Sequence, residues 1–250
     1  NEQVVMPSFT ASLHIIGEGA EVVRWAATAN SQTLFDGATS ANMNYLSVSG
    51  IWFDLSTFTG ATGLNADASK GELKECRFTT GGSSTSTGAL TVAAHLRVSD
   101  CRFGDATQDA SGARLGEGLD TQSAVLQVAI DNCSFQTATG LTCALVGTNV
   151  NNCWFNCTTL DIAVVGSGTQ GECLFSNSKW NKMTVAASAD GFIAVGNKIQ
   201  PQTGLTTGID FTGVTSNSDG VIVANNVFQR QSGTPVGIAL DSNLITGLVT

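Results

Sequence analysis

A six-residue phrase that recurs eight times constrains the fold of this chain more than any other feature. The phrase reads apolar residue, any residue, Asn/Asp/Glu/Gly, small residue, any residue, large apolar residue. Five clear copies are VSGIWF (48–53), LKECRF (73–78), VSDCRF (98–103), IDNCSF (130–135) and VNNCWF (150–155). Three weaker copies are FSNSKW (175–180), AVGNKI (194–199) and VANNVF (223–228). Their last residues are separated by 25, 25, 32, 20, 25, 19 and 29 residues, a mean of 25, which indicates stacked structural repeats.

Within each phrase, the fourth and sixth residues alternate with an outward fifth residue, as in a β-strand. The third residue interrupts this alternation and is Gly50, Glu75, Asp100, Asn132, Asn152, Asn177, Gly196 or Asn225. Because Gly and Asn tolerate left-handed backbone angles, the third residue is predicted to form a bend between two short strands. The sequence therefore predicts an all-β solenoid of parallel strands with about ten coils. We expect one domain, 1–250, that is part of a longer chain.

Stacked coils place equivalent residues about 4.8 Å apart, so like residues form ladders. The predicted aromatic ladder is Phe53, Phe78, Phe103, Phe135 and Phe155. The predicted thiol ladder is Cys76, Cys101, Cys133 and Cys153. The predicted asparagine ladder is Asn132, Asn152, Asn177 and Asn225, with amides that can hydrogen-bond from coil to coil. We interpret the inward thiols as small, reduced core residues.

This arrangement resembles the right-handed parallel β-helix of the pectin-lyase-like superfamily. The opening VVMPSFTASLHIIGEGAEVVRW (4–25) is similar to the first coil of such proteins, with a Pro followed by an I-x-G-x-G turn at 15–19. The resemblance extends to about residue 249. The superfamily includes pectate lyases, polygalacturonases and phage tailspikes, and the tailspikes and related virion appendages are trimers of parallel prisms.

Composition disfavours two classes of partner. The chain has 11 basic and 20 acidic residues and a net charge of −9, which disfavours nucleic acid because phosphates are neutralised by clustered Lys and Arg. No apolar run approaches the roughly 20 residues that a membrane helix needs, so we expect no membrane insertion.

We expect no metal and no cofactor. A zinc site would have to use Cys143, Cys153, Cys157 and Cys173, which lack C-x-x-C spacing. His14 and His95 lie in predicted strands and are interpreted as packing or surface residues rather than ligands.

The longest interval between phrases carries the weak catalytic candidates. In the superfamily, the lyases use a calcium-binding Asp cluster with an Arg base, and the hydrolases use paired carboxylates. Glycoside hydrolysis needs two carboxyl groups about 5–5.5 or 6.5–9.5 Å apart. The 32-residue interval after Phe103 contains Asp105, Asp109, Glu117 and Asp120. We expect these acids on an extended loop, where they either line a sugar groove or only keep the protein soluble.

Trp52 and Trp154 occupy the outward fifth place of their phrases. An outward indole can serve as a platform for a sugar or as an anchor in a subunit interface, and both interpretations are open.

Three segments are apolar on both strand faces: SAVLQVAI (123–130), TCALVG (142–147) and DIAVVG (161–166). In a solitary β-helix one face of each strand meets water and should be polar, so these segments predict a face that is covered by another subunit. Together with the resemblance, they favour a homotrimer.

Three functional hypotheses follow. The first is a structural virion appendage such as a tail spike or head fibre, assembled in the host cytoplasm with other virion proteins and able to contact host-surface polysaccharide. The second is a polysaccharide lyase or glycoside hydrolase. The third is a bacterial surface adhesin, which would be extracellular or on the cell surface. The absence of a recognisable catalytic signature favours the first hypothesis over an enzyme.

Overall fold

The computed structural model describes residues 4–5, 12–37, 43–55, 57–80, 85–105, 114–121, 127–144, 147–165, 172–201, 207–229, 236–244 and 247–249. The first three coils contain β1 (Val4–Val5), β2 (Ser12–Ile16), β3 (Arg24–Ala26), β4 (Thr33–Gly37), β5 (Tyr45–Ser49), β6 (Trp52–Asp54), β7 (Thr62–Lys74) and β8 (Arg77–Thr79). The next three contain β9 (Thr87–Ser99), β10 (Arg102–Phe103), β11 (Glu117–Thr121), β12 (Gln127–Asp131), β13 (Ser134–Phe135), β14 (Thr139–Ala144), β15 (Thr148–Asn151) and β16 (Trp154–Phe155). The last four contain β17 (Leu160–Val165), β18 (Cys173–Ser176), β19 (Lys179–Trp180), β20 (Met183–Ala187), β21 (Phe192–Val195), β22 (Lys198–Ile199), β23 (Thr207–Val214), β24 (Val221–Ala224), β25 (Val227–Phe228), β26 (Val236–Ala239) and β27 (Gly247–Val249).

The strands form a right-handed parallel β-helix, which confirms the predicted fold class and the estimate of about ten coils. Its first face contains β1, β4, the start of β7 and β9, β11, β14, β17, β20, β23 and β26. Its second face contains β2, β5, the end of β7 and β9, β12, β15, β18, β21, β24 and β27. Its third face contains β3, β6, β8, β10, β13, β16, β19, β22 and β25. With one coil per 4.8 Å, the stack is about 45 Å long.

The bend between the second and third faces has the left-handed conformation that the sequence predicts. The φ angles are 53° at Glu75, 55° at Asp100 and between 48° and 55° at all four predicted ladder asparagines. Gly50 and Gly196 have φ angles of 65° and 68°. The bend therefore recurs once per coil, and it holds the strands on either side of it in register.

The predicted aromatic ladder forms the core behind the third face. Phe53, Phe78, Phe103, Phe135 and Phe155 have no solvent exposure, and successive ring centroids are 4.9, 4.9, 4.8 and 4.5 Å apart. The interplanar angles are only 2° to 5°, so the rings lie almost parallel. Trp25 closes one end of the ladder with an edge contact to Phe53, at a centroid distance of 5.6 Å.

The thiol ladder is also confirmed, and all seven cysteines of the chain are buried and free. The thiols of Cys76, Cys101, Cys133 and Cys153 each donate to the backbone carbonyl two residues earlier, at 3.2 to 3.4 Å. Ser178 continues the same column, and its Oγ accepts a hydrogen bond from the N–H of Cys153 at 3.0 Å. The four buried thiols thus each have a backbone hydrogen-bond acceptor inside the core.

The asparagine ladder holds over part of its predicted length. The Asn132 amide donates to Asp100, and the Asn152 amide donates to Asn132 Oδ1 at 3.3 Å. The Asn177 amide donates instead to Asn151 Oδ1, at 3.0 Å. The series of side-chain amide hydrogen bonds therefore leaves the bend column at this coil.

A column of glycines on the first face is a second repeat, and it was not part of the sequence-based prediction. It comprises Gly63, Gly88, Gly118, Gly140, Gly208 and Gly237, each preceded by Thr, Glu or Val and followed by an apolar residue. A Cβ at Gly88 would lie 2.6 Å from the carbonyl oxygen of Gly118 and 3.1 Å from Cδ1 of Phe103. Gly63, Gly88, Gly118 and Gly140 need to be glycine because the backbone of the next coil and the aromatic ladder leave no space for a side chain there.

We predict that Phe103→Ala lowers the free energy of unfolding by about 3–5 kcal/mol, because the ring is fully buried between two parallel neighbours. Urea denaturation measures this loss. A loss below about 1 kcal/mol would contradict the register of the ladder.

We also predict that Gly88→Ala destabilises the protein by about 1–3 kcal/mol, because the new methyl group overlaps the backbone carbonyl of Gly118 in the next coil. Gly213→Ala is the matched control. Its Cβ would meet no atom closer than 3.4 Å, so we expect a change below about 1 kcal/mol. Equal effects of the two changes would show that the glycine column is not a packing requirement.

Candidate functional site

The structure describes three of the four acidic candidates, and two of these three lie together in one strand rather than on the expected loop. Asp105 follows β10 and forms an ion pair with Arg77 on the third face. Glu117 and Asp120 belong to β11 on the first face. Asp109 lies outside the described residues. The interpretation of these acids as one extended carboxylate loop is therefore wrong for Glu117 and Asp120.

Glu117 lies in a cavity of about 420 Å³ that is lined by Thr85, Thr87, Thr139 and Thr142. The hydroxyl of Thr142 donates a hydrogen bond to Glu117 Oε1. Partial burial raises the pKa of Glu117, and the nearby negative charge of Asp120 raises this pKa further. Asp120 itself is only 7% exposed. The cavity therefore presents a single carboxyl group with an increased tendency to hold a proton.

A larger depression of about 960 Å³ runs along the second face from Tyr45 on β5 to Leu174 on β18. Its lining combines polar and apolar side chains and includes Glu72, His95 and Arg97. The Tyr45 hydroxyl donates to Glu72 Oε2 at 3.1 Å. We refer to this feature as the second-face groove. Six successive coils contribute to it, so at 4.8 Å per coil it is about 24 Å long.

The second-face groove lacks the carboxylate pair that hydrolysis needs. Its two glutamates, Glu72 and Glu172, lie four coils apart, which corresponds to about 19 Å along the stack. A hydrolase pair would be separated by at most about 9.5 Å. The imidazole Nδ1 of His95 lies 3.1 Å from Gln127 Oε1, an amide and not a carboxylate. Among its described lining residues, the groove therefore holds no pair of carboxyl groups at the spacing that a hydrolase needs.

The described residues also contain no group of three or more His, Cys, Asp or Glu side chains that could hold a metal ion. His14 and His95 both lie in strands, as predicted, and His14 packs against Tyr45 with ring centroids 5.4 Å apart. The chemistry of the groove therefore depends on hydrogen bonds and charge.

The outward residues of the third face form one in-register column, which we call the third-face column. It contains Arg24, Trp52, Arg77, Arg102, Ser134, Trp154, Lys179, Lys198 and Val227. The ring of Trp52 lies between two guanidinium groups, Arg24 at 4.7 Å and Arg77 at 4.8 Å from its centroid. A sugar could stack on Trp52 only by displacing an arginine.

Trp154 has a different environment from Trp52. Its side chain is 38% exposed, and Lys179 Nζ lies 5.9 Å from the ring centroid on one side. Its neighbour in the previous coil is the small side chain of Ser134. Among the described residues, Trp154 is the one large, exposed apolar side chain away from the first coil and the last two coils.

Parts of the three segments expected to be apolar on both faces, residues 123–126, 145–146 and 166, lie outside the described residues. In 161–165, Ile162 and Val164 are fully buried, while Ala163 is 8% exposed and Val165 is half-buried. A broader outward apolar surface occurs on β18, β21 and β24 of the second face. This apolar patch consists of the half-buried residues Leu174, Ile193, Val195, Ile222 and Ala224.

No protein family, curated protein or solved structure matches this chain. What the structure shows is therefore the parallel β-helix fold, without a family assignment. The described part of the chain contains no helix long and apolar enough to cross a membrane.

We predict that Glu117→Gln stabilises the protein at about pH 8 and that this gain shrinks as the pH falls to about 4. The pKa of Glu117 is raised in the folded state, so its ionised form carries a penalty above that pKa. The penalty disappears as the pH falls through the folded pKa, because the folded protein then binds a proton before the unfolded chain does. Urea denaturation of both proteins across this pH range measures the difference. A gain that does not depend on pH would contradict the assignment.

Proposed function

We propose that this chain is a non-catalytic, β-helical structural module of a virion appendage, such as a tail spike or head fibre. It assembles as a homotrimer with other virion proteins and contacts host-surface glycans. The observation that carries this proposal is the long, straight stack with a polar groove along it and no carboxylate pair in that groove.

The glycan contact is supported by the shape and lining of the second-face groove. Polar groups recur along it, including Glu72, Arg97 and Asn149, and each lies on a different coil of the same face. An extended polymer meets a new set of hydrogen-bonding groups at about every 4.8 Å along such a surface. Binding without hydrolysis is supported by the distance of about 19 Å between the two glutamates.

The trimer is supported by the apolar patch. In a parallel homotrimer, residues close to the threefold axis meet copies of themselves. The side chains of Ile193 and Ile222 form an apolar, uncharged column beyond Leu174, where the second-face groove ends, and this column is compatible with such self-contact. A second copy of the chain is the occupant that we propose for this part of the second face.

Assembly in the cytoplasm of a host cell is supported by the seven free, buried thiols. Cytosolic thiols stay reduced, whereas small extracellular domains commonly depend on disulfides. A virion protein folds in the first environment before it functions outside the cell, whereas a cell-surface adhesin, the remaining alternative, is exported before it functions.

A polysaccharide-cleaving enzyme is the second candidate, and one observation favours it. The carboxyl group of Glu117 has a raised pKa and lies in a cavity, as a general acid does. Its neighbour Asp120 is buried, so a second reactive carboxylate is not displayed beside it.

The trimer predicts a native mass of three times 25.7 kDa by light scattering. Ile193→Glu should reduce this mass to that of one chain without changing the far-UV circular dichroism, because it places three like charges in the interface. Val227→Glu is the matched control, since Val227 is outward and exposed on the third face, and its trimer should persist. A wild-type monomer would contradict the proposed assembly.

Release of reducing or unsaturated chain ends from host polysaccharide distinguishes the two candidate functions. We expect binding without release. Release that is lost in Glu117→Gln would instead establish an enzyme, with Glu117 as its acid.

A further inference from the structure

The cations of this acidic protein are concentrated in the third-face column. Five of the 11 Lys and Arg residues occupy five of the nine positions of this column. The chain as a whole is acidic, with a net charge of −9, so an overall excess of basic residues does not explain this clustering. The in-register stack therefore displays positive charge along a single line on one face.

The two halves of the column differ in how that charge is compensated. In the first half, Arg24 pairs with Asp54, and Arg77 pairs with both Glu21 and Asp105. The third arginine of this half, Arg102, forms no ion pair with a described residue. In the second half, Lys179 and Lys198 form no ion pair with any described residue. The positive charges of Lys179 and Lys198 are thus not neutralised by an ion pair, and they follow Trp154 in the same column.

The residues that flank this second half are uncharged. On the bend side of the column lie Asn152, Asn177, Gly196 and Asn225. On the other side lie Asn156, Asn181, Gln200 and Gln229. The buried carboxylate of Asp161 reaches the second flank, where it accepts hydrogen bonds from the backbone N–H groups of Asn181 and Lys182. No ion pair joins a described acidic side chain to Lys179 or Lys198.

We propose that Trp154, Lys179 and Lys198 form a binding site for an anionic polysaccharide. This inference rests on the proposed glycan contact and names its ligand class and its location. One sugar ring packs on the side of Trp154 that faces Ser134. Carboxylate or sulfate groups of the following sugars of the polymer contact Lys179 and Lys198, which lie one and two coils beyond Trp154.

Two observations favour a polysaccharide over other occupants. A second copy of this chain is disfavoured because a parallel trimer built on this face would bring Lys179 and Lys198 against their own copies. A nucleic acid is disfavoured because its dense charge would be repelled by a protein of net charge −9, and a polysaccharide with about one charge per sugar is repelled less. The third face is therefore the outward face of the proposed trimer.

Binding of carboxymethyl dextran and of uncharged dextran of the same length tests this site, because the two polymers differ only in charge. We expect the full chain to bind carboxymethyl dextran more tightly and to lose affinity as salt is added. The double variant Lys179→Gln and Lys198→Gln should lose about tenfold in affinity for the charged polymer. Replacement of both lysines by Arg should retain binding. Lys74→Gln, at a half-exposed lysine outside the column, is the matched control and should change nothing.

Three results would overturn the inference, and they have different consequences. Equal binding by wild type and the double Gln variant would remove the third-face site and leave the glycan contact in the second-face groove standing. No binding of either polymer by the wild type would contradict the glycan contact itself. Tighter binding of single-stranded DNA than of carboxymethyl dextran, lost in the double variant, would assign the column to nucleic acid.

Discussion

In-register stacking of one coil on the next is the constraint on which the rest of this structure depends. The parallel phenylalanine rings of the core require each coil to lie directly over the last, with centroids 4.5 to 4.9 Å apart. The glycines beside them allow the backbones to approach that closely. This register also fixes the order of the outward residues, so Trp154, Lys179 and Lys198 follow one another along a line. Packing of the interior thus determines the chemistry of the surface.

The interior could be predicted from the sequence because each inward position carries its own local signature. Phe103 and Cys101 alternate as strand residues do, and Asn132 stands where a left-handed bend is required. The glycine column could have been found in the same way, from the repeated Gly-apolar pairs such as Gly63-Leu64 and Gly88-Ala89. It was missed because the six-residue phrase was aligned on the third face, and the first face lies at a variable distance from it along the chain.

The surface was harder to predict, since its features come from residues that are 19 to 32 positions apart in the sequence. Lys179 and Lys198 are unremarkable singly, and their juxtaposition with Trp154 depends on coil lengths that vary. Asp120 was expected on a loop because it lies in the longest interval, but that interval also contains a strand of the first face. The sequence pattern does not predict the apolar patch, because the strands of that patch, such as FIAV (192–195), are short.

We propose, as the central claim, that the third-face column of the stack presents Trp154, Lys179 and Lys198 to an anionic sugar. A crystal structure of the chain with an acidic oligosaccharide tests this claim most directly. We predict a sugar ring against Trp154, with a carboxylate of a following sugar in the same oligosaccharide within hydrogen-bond distance of Lys179 or Lys198 Nζ. A sugar bound only in the second-face groove, or a Trp154 side chain buried against another copy of the chain, would contradict it.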